Sequence, residues 1–122
     1  MKKLLLAEDD KVMGELIQHF LTSSFQVKRV KNPEDILRSV HEIKPDIVLL
    51  DIHMDGTNGK DVCKEIKNGT ETRHIPVVLM SAANIKEDDY ADTQYDAFLK
   101  KPFSMHDLEA ILKRLASPKK LS

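Results

Sequence analysis

The stretch from Ile47 to Gly56, Ile-Val-Leu-Leu-Asp-Ile-His-Met-Asp-Gly, constrains the fold more than any other. Its run of branched aliphatic residues has the pattern of a strand buried on both faces, and it ends on a carboxylate followed by polar, Gly-containing sequence. This places Asp51 at the C-terminal end of a buried strand. In open α/β sheets ligands bind along that edge, so an acid there suits chemistry better than core packing.

Other segments end the same way. Leu4 to Ala7 reads as a first strand closed by the acidic triplet Glu8, Asp9 and Asp10, and Pro76 to Met80 as a fourth that stops on Ser81. Gln26 to Val30 is a short second strand. Ala97 to Leu99 is a brief fifth strand, leading into Lys100, Lys101 and Pro102.

Helical patterns lie between them. From Lys11, the residues Val12, Met13, Leu16, Ile17, Phe20 and Leu21 follow the i, i+3, i+4 spacing of one apolar stripe. Asn32 and Pro33, with Glu34 and Asp35, read as the start of a second helix carrying Ile36, Leu37, Val40 and Ile43. Gly59 opens a third, with Val62, Cys63 and Ile66, and Ser104 with Asp107 caps a last one carrying Leu108, Ile111, Leu112 and Leu115. Between Ala82 and Asp96 five acids dilute Ile85, Tyr90, Ala91 and Tyr95, which predicts a short, frayed or irregular fourth helix.

Regular alternation of strand and helix implies parallel βαβ units with helices on both faces, a doubly wound α/β domain. The 122 residues suit one such domain, over 1–116, with 117–122 as a loose tail.

Lys and Arg total 19 against 20 acids, a net charge of -1, so there is no bulk attraction to nucleic acid or to an anionic membrane. The N-terminal Lys2 and Lys3 before Leu4 to Ala7 imitate a signal peptide, but the apolar run stops after four residues. The single Cys63 excludes an internal disulfide and a Cys-rich metal site, and a reduced cytosol fits best.

In this architecture every strand ends on one edge, so Glu8, Asp9, Asp51, Ser81 and Lys101 converge although they are scattered along the chain. These marks, in this order, resemble the receiver domain of two-component response regulators. The resemblance covers Lys3 to Leu115 and rests on the acidic pair after strand one, Asp51 with Gly59 beyond it, Ser81 after strand four, and Lys101-Pro102 after strand five.

The resemblance implies a flavodoxin-like three-layer sandwich, strand order 2-1-3-4-5 with five helices. It also implies a signalling switch rather than an enzyme in the usual sense. Asp51 would accept a phosphoryl group from a histidine kinase or phosphotransfer protein. Mg²⁺, with Mn²⁺ as a substitute, would be held by Glu8, Asp9, Asp51 and the backbone carbonyl of His53. The choice between Glu8 with Asp9 and Asp9 with Asp10 turns on a register of one residue, and Asp10 is better explained as a helix cap. Lys101 would neutralise the transferred group. Ser81 and the aromatic Phe98 would form the conformational switch, read out by a downstream protein or output domain, with no direct contact to nucleic acid or membrane. Pro102 makes a cis peptide plausible.

Three competing readings carry less. A degenerate receiver that binds partners without phosphorylation is disfavoured by the full set of Asp51, Ser81 and Lys101. A metal-dependent phosphatase would need a second acid and a substrate cap, for which the chain has no insertion. Flavin binding is disfavoured because the acidic loop after strand one repels phosphate. His53 has no second His at ligand spacing, which argues against a transition metal. The sequence departs from the receiver pattern at Asp55, where Pro is common, and at Gln94 and Tyr95, where Gly-Ala is customary.

Overall fold

A computed structural model describes residues 1–56 and 58–117. Five strands alternate with four α-helices: β1 (Lys2–Ala7), α1 (Lys11–Leu21), β2 (Phe25–Val30), α2 (Ile36–Ile43), β3 (Ile47–Asp51), α3 (Gly59–Asn68), β4 (Val77–Ser81), β5 (Ala97–Lys100) and α4 (Met105–Ala116). The strands form one parallel sheet in the order β2-β1-β3-β4-β5. This is the doubly wound, flavodoxin-like order. Residues 118–122, most of the expected tail, lie outside the described residues. Among the described residues no helix is long and apolar enough to cross a membrane.

Two cores follow from the two-residue period of the strands. Leu5, Val48, Leu50, Val77 and Leu79 pack with Ile36, Val40, Val62, Cys63 and Ile66, under α2 and α3. On the opposite face Leu4, Leu6, Ile47, Leu49, Val78 and Met80 pack with Ile17, Leu21, Leu108 and Leu112, under α1 and α4. β1, β3 and β4 are central and covered on both faces, which is why they read as continuous apolar runs rather than alternating ones. Each fully buried Leu or Ile contributes about 1.5–3 kcal/mol relative to exposure.

The structure corrects two expectations. Val12 and Leu16 do not belong to the buried stripe of α1: they are 76% and 50% exposed, whereas Ile17 and Leu21 of the expected stripe are buried together with Gly14. The spacing does not tell them apart, because a stripe of six residues in eleven is wider than the face the sheet can cover. Asn32 does not cap an α-helix. Pro33–Asp35 forms a single 3₁₀ turn, and α2 begins only at Ile36.

The diluted segment before β5 is a 3₁₀ stretch, Glu87–Thr93, ending at Gln94 in the left-handed region (φ 63°). Its Tyr90, with Ile85 and Tyr95, packs on the α3 side of the core, so few apolar anchors hold it and no full α-helix forms. Asp96 closes this corner by accepting from the Val77 N–H (2.7 Å) and from Lys67 Nζ (3.0 Å).

Candidate functional site

Asp51 is the last residue of β3 and only 4% exposed. Its neighbours on the C-terminal edge of the sheet come from β1 and the ends of β4 and β5. Glu8, Asp9 and Asp51 bring carboxylate oxygens within 4.8 Å of one another. Lys101 follows β5 and carries its Nζ to 3.5 Å from Asp51 Oδ2 and 3.9 Å from Glu8 Oε1. The Lys101–Pro102 peptide is cis.

Asp10, the third acid of the triplet, turns away. Its Oδ1 accepts from the Met13 N–H at 2.8 Å and caps α1. Glu8 points inward and is fully buried. Its Oε2 accepts weakly from the Asp10 N–H (3.3 Å), and its Oε1 has no hydrogen-bond partner among the described residues. Burial, and then the hydrogen bond and charge of Asp51, push the Glu8 carboxyl up to about 8, against the opposing pull of the Asp10 N–H and Lys101.

The site therefore lacks positive charge. Among the described residues one lysine faces three carboxylates, and a buried carboxylate oxygen is left without a hydrogen bond. An all-oxygen set with these properties fits a hard divalent cation, which would satisfy Glu8 Oε1 and relieve the repulsion. A softer metal would call for His or Cys ligands, which the cluster lacks.

Main-chain donors hold the acids in place. The His53 N–H donates to Asp51 Oδ1 (2.9 Å), and the Asp55 N–H donates to Asp9 Oδ2 (3.1 Å). The second contact needs an N–H at position 55, which a proline there would lack. The Asp55 side chain itself is exposed.

The imidazole of His53 reaches across the site, and its Nε2 accepts from the Ala82 N–H at 2.9 Å. Ser81 is buried, and its hydroxyl donates to the Ala82 carbonyl (3.0 Å). Phe98 pairs with Leu79 in the β4–β5 register while Ser81 pairs with Lys100, so Ser81 and Phe98 lie on the same face of the sheet. The Phe98 ring is half-buried between Tyr90 and Tyr95, at centroid distances of 5.6 and 5.5 Å.

Residues 4–113 match the family model described as the response regulator receiver domain. The chain belongs to this family. It is similar to the polar-differentiation response regulator DivK of Brucella anthropi, at 30% identity over 85% of this chain and 87% of that protein. It is also similar to the phosphate regulon transcriptional regulatory protein PhoB of Escherichia coli, at 30% identity over 92% of this chain but only 50% of PhoB. Among solved structures, the receiver domain of a sensor histidine kinase from Pseudomonas aeruginosa superposes with a TM-score of 0.84 at 25% identity, covering 94% of this chain and 97% of that one. That structure holds a magnesium ion coordinated in its active-site cleft.

Some features of this receiver's site were not read from its sequence. Arg29, on β2, donates from Nε to the Glu8 carbonyl (3.1 Å) and from Nη2 to the Asp10 carbonyl (2.9 Å). The signal for it was Gly14, a glycine inside an amphipathic helix, which asks for a close approach by something else. The contacts from His53 to Ala82 and from Asp55 to Asp9 left no signal, because both join segments distant in sequence through one backbone group.

Proposed function

We propose that this receiver accepts a phosphoryl group on Asp51 and relays the phosphorylated state to a protein partner. The observation that carries the reading is the placement of Lys101 Nζ 3.5 Å from Asp51 Oδ2 inside a three-carboxylate cluster. An Asp oxygen attacks the phosphorus of a phosphohistidine on a sensor kinase or phosphotransfer protein. The P–N bond breaks, its electron pair returns to the ring nitrogen, and Asp51 is left as a mixed acyl phosphate. Lys101, already aimed at the attacking carboxylate, stabilises charge on the phosphoryl oxygens.

Glu8, Asp9, Asp51 and the His53 carbonyl would hold Mg²⁺, or Mn²⁺ in its place. Bound there, the ion supplies positive charge that lets an anionic donor approach three acids. Transfer from the donor and the later hydrolysis are both carried by this site, so the group that the domain modifies is its own Asp51. A groove of about 520 Å³ beside Lys101, lined by Met13, Leu16, Ala82, Phe103 and Met105, is largely apolar. With the exposed Val12, it supports a protein donor rather than a small metabolite.

The switch would use Ser81 and Phe98. Turning the Ser81 hydroxyl from the Ala82 carbonyl to a phosphoryl oxygen frees space on the face it shares with Phe98, and the two packings are biased by contacts present in only one. A downstream protein or a linked output domain reads the change.

The test is intact mass after incubation with a small phosphodonor such as acetyl phosphate, with Mg²⁺ or with chelator, on the wild type and Asp51→Asn. One phosphoryl adduct that needs Mg²⁺ and is absent from the variant is expected. No adduct, under conditions that modify a known receiver, would instead indicate a phosphorylation-independent binding module.

A further inference from the structure

We infer that Arg29 is a positioning residue for the metal-binding acids, acting through their main chain, and that Gly14 is glycine because the Arg29 guanidinium occupies the space beside it. The inference rests on the Mg²⁺ reading given above.

Arg29 sits next to the last residue of β2, beside β1, in register with Leu6. Its guanidinium crosses the end of β1 and donates to the carbonyls of Glu8 and Asp10, the two residues on either side of Asp9. The Glu8 N–H is itself fixed to the Val30 carbonyl at 3.2 Å. Three contacts from the end of β2 therefore set the backbone of the turn that launches Glu8 inward and Asp9 toward Asp55. A guanidinium suits this, since its fork reaches two acceptors at once in a fixed plane and a lysine ammonium does not.

The other wall of the clamp is α1. An added Cβ at Gly14 would stand 2.2 Å from Arg29 Cζ and 2.4 Å from its Nε. The guanidinium is the mobile end of a long side chain, so it could move aside, but only by giving up one or both carbonyls. Gly14 is also fixed by its own N–H to the Asp10 carbonyl (2.9 Å), so the helix does not back away. A glycine in the middle of a helix is otherwise unfavourable, which makes this close approach the reason for it.

The two residues should then be coupled in metal binding rather than in stability. Arg29→Met keeps the aliphatic stem and removes both donors. Residues that orient metal ligands from behind typically change affinity by about 10- to 100-fold when lost. Calorimetric titration of the full chain with Mg²⁺ alone is expected to show about a 10-fold weaker dissociation constant for Arg29→Met, with the thermal transition still cooperative. Gly14→Ala should weaken Mg²⁺ to a similar degree by displacing the guanidinium, although alanine favours the helix. In the double variant the methyl meets no guanidinium, so its Mg²⁺ affinity should equal that of Arg29→Met alone.

Wild-type affinity in Arg29→Met, or losses that multiply in the double variant, would overturn the clamp. If Arg29→Met did not fold, the Gly14→Ala titration alone would decide, since an unchanged affinity there would equally overturn it. No Mg²⁺ binding by the wild type would instead remove the metal reading on which the inference stands.

Discussion

His53 Nε2 accepts the Ala82 N–H at 2.9 Å, while the His53 N–H donates to Asp51 Oδ1 at 2.9 Å. One residue thus straps the loop after β3 to the loop after β4 across Asp51. For Nε2 to accept, the ring must be neutral with its proton on Nδ1.

Replacing His53 with Ala removes the acceptor and leaves the Ala82 amide to solvent. A hydrogen bond of this kind is worth about 0.5–1.5 kcal/mol net, which corresponds to amide exchange about 2- to 13-fold faster at Ala82. Hydrogen exchange followed by NMR measures this directly. Unchanged exchange in His53→Ala would mean that the contact protects nothing in solution.

The raised Glu8 carboxyl makes stability depend on pH. With its pKa at about 8 in the fold against 4.5 for the free side chain, Glu8 holds a proton in the folded state that the unfolded chain has released across that window. Its contribution is fully present below pH 4.5 and is lost as pH rises through about 8. In chelator, Tm should therefore fall with rising pH over this range, and Glu8→Gln should flatten the slope. Mg²⁺ requires the ionised carboxylate, so its affinity should rise across the same window with release of a proton. A Tm profile identical in wild type and Glu8→Gln would contradict the assignment.

Gly59 opens α3 directly against the main chain. A Cβ there would meet Ile52 Cα and Cβ at 2.8 Å, and backbone cannot swing aside as the Arg29 side chain can. Gly59→Ala should cost about 1–3 kcal/mol through this overpacking. Urea unfolding in chelator gives the value. A loss below about 0.5 kcal/mol would place the substitution among ordinary surface changes and show that the contact relaxes freely.

Phe98 provides a readout of the proposed switch. Its ring lies between Tyr90 and Tyr95, so any rotation alters the ring-current shifts of both tyrosines. Phosphodonor and Mg²⁺ should move these NMR signals in the wild type and leave them in place in Ser81→Ala. Equal movement in both proteins would mean that the coupling does not pass through Ser81.

The fold was legible where burial dictates composition. The apolar run of β3 and the acid that ends it could be read directly, because a central parallel strand excludes polar side chains until it leaves the sheet. α1 was legible as a helix but not in its facing. Val12 and Leu16 share the periodicity of Ile17, and only contact with the sheet decides which of them is covered. The 3₁₀ turn at Pro33 escaped for a similar reason: Asn-Pro-Glu-Asp starts either kind of helix equally well, and tertiary packing chose between them.

By itself the sequence determined the order of elements, the edge on which Glu8, Asp9, Asp51, Ser81 and Lys101 meet, and hence the chemical class of the site. Each of these follows from the period and punctuation of a local segment. Only the tertiary structure decided which acids of the triplet face inward, that Glu8 Oε1 has no hydrogen bond among the described residues, and that Arg29, His53 and Asp55 hold the acids and loops from behind. Those contacts join residues 19 to 46 positions apart through one or two hydrogen bonds each, and so few long-range bonds leave no periodic trace in the chain that makes them.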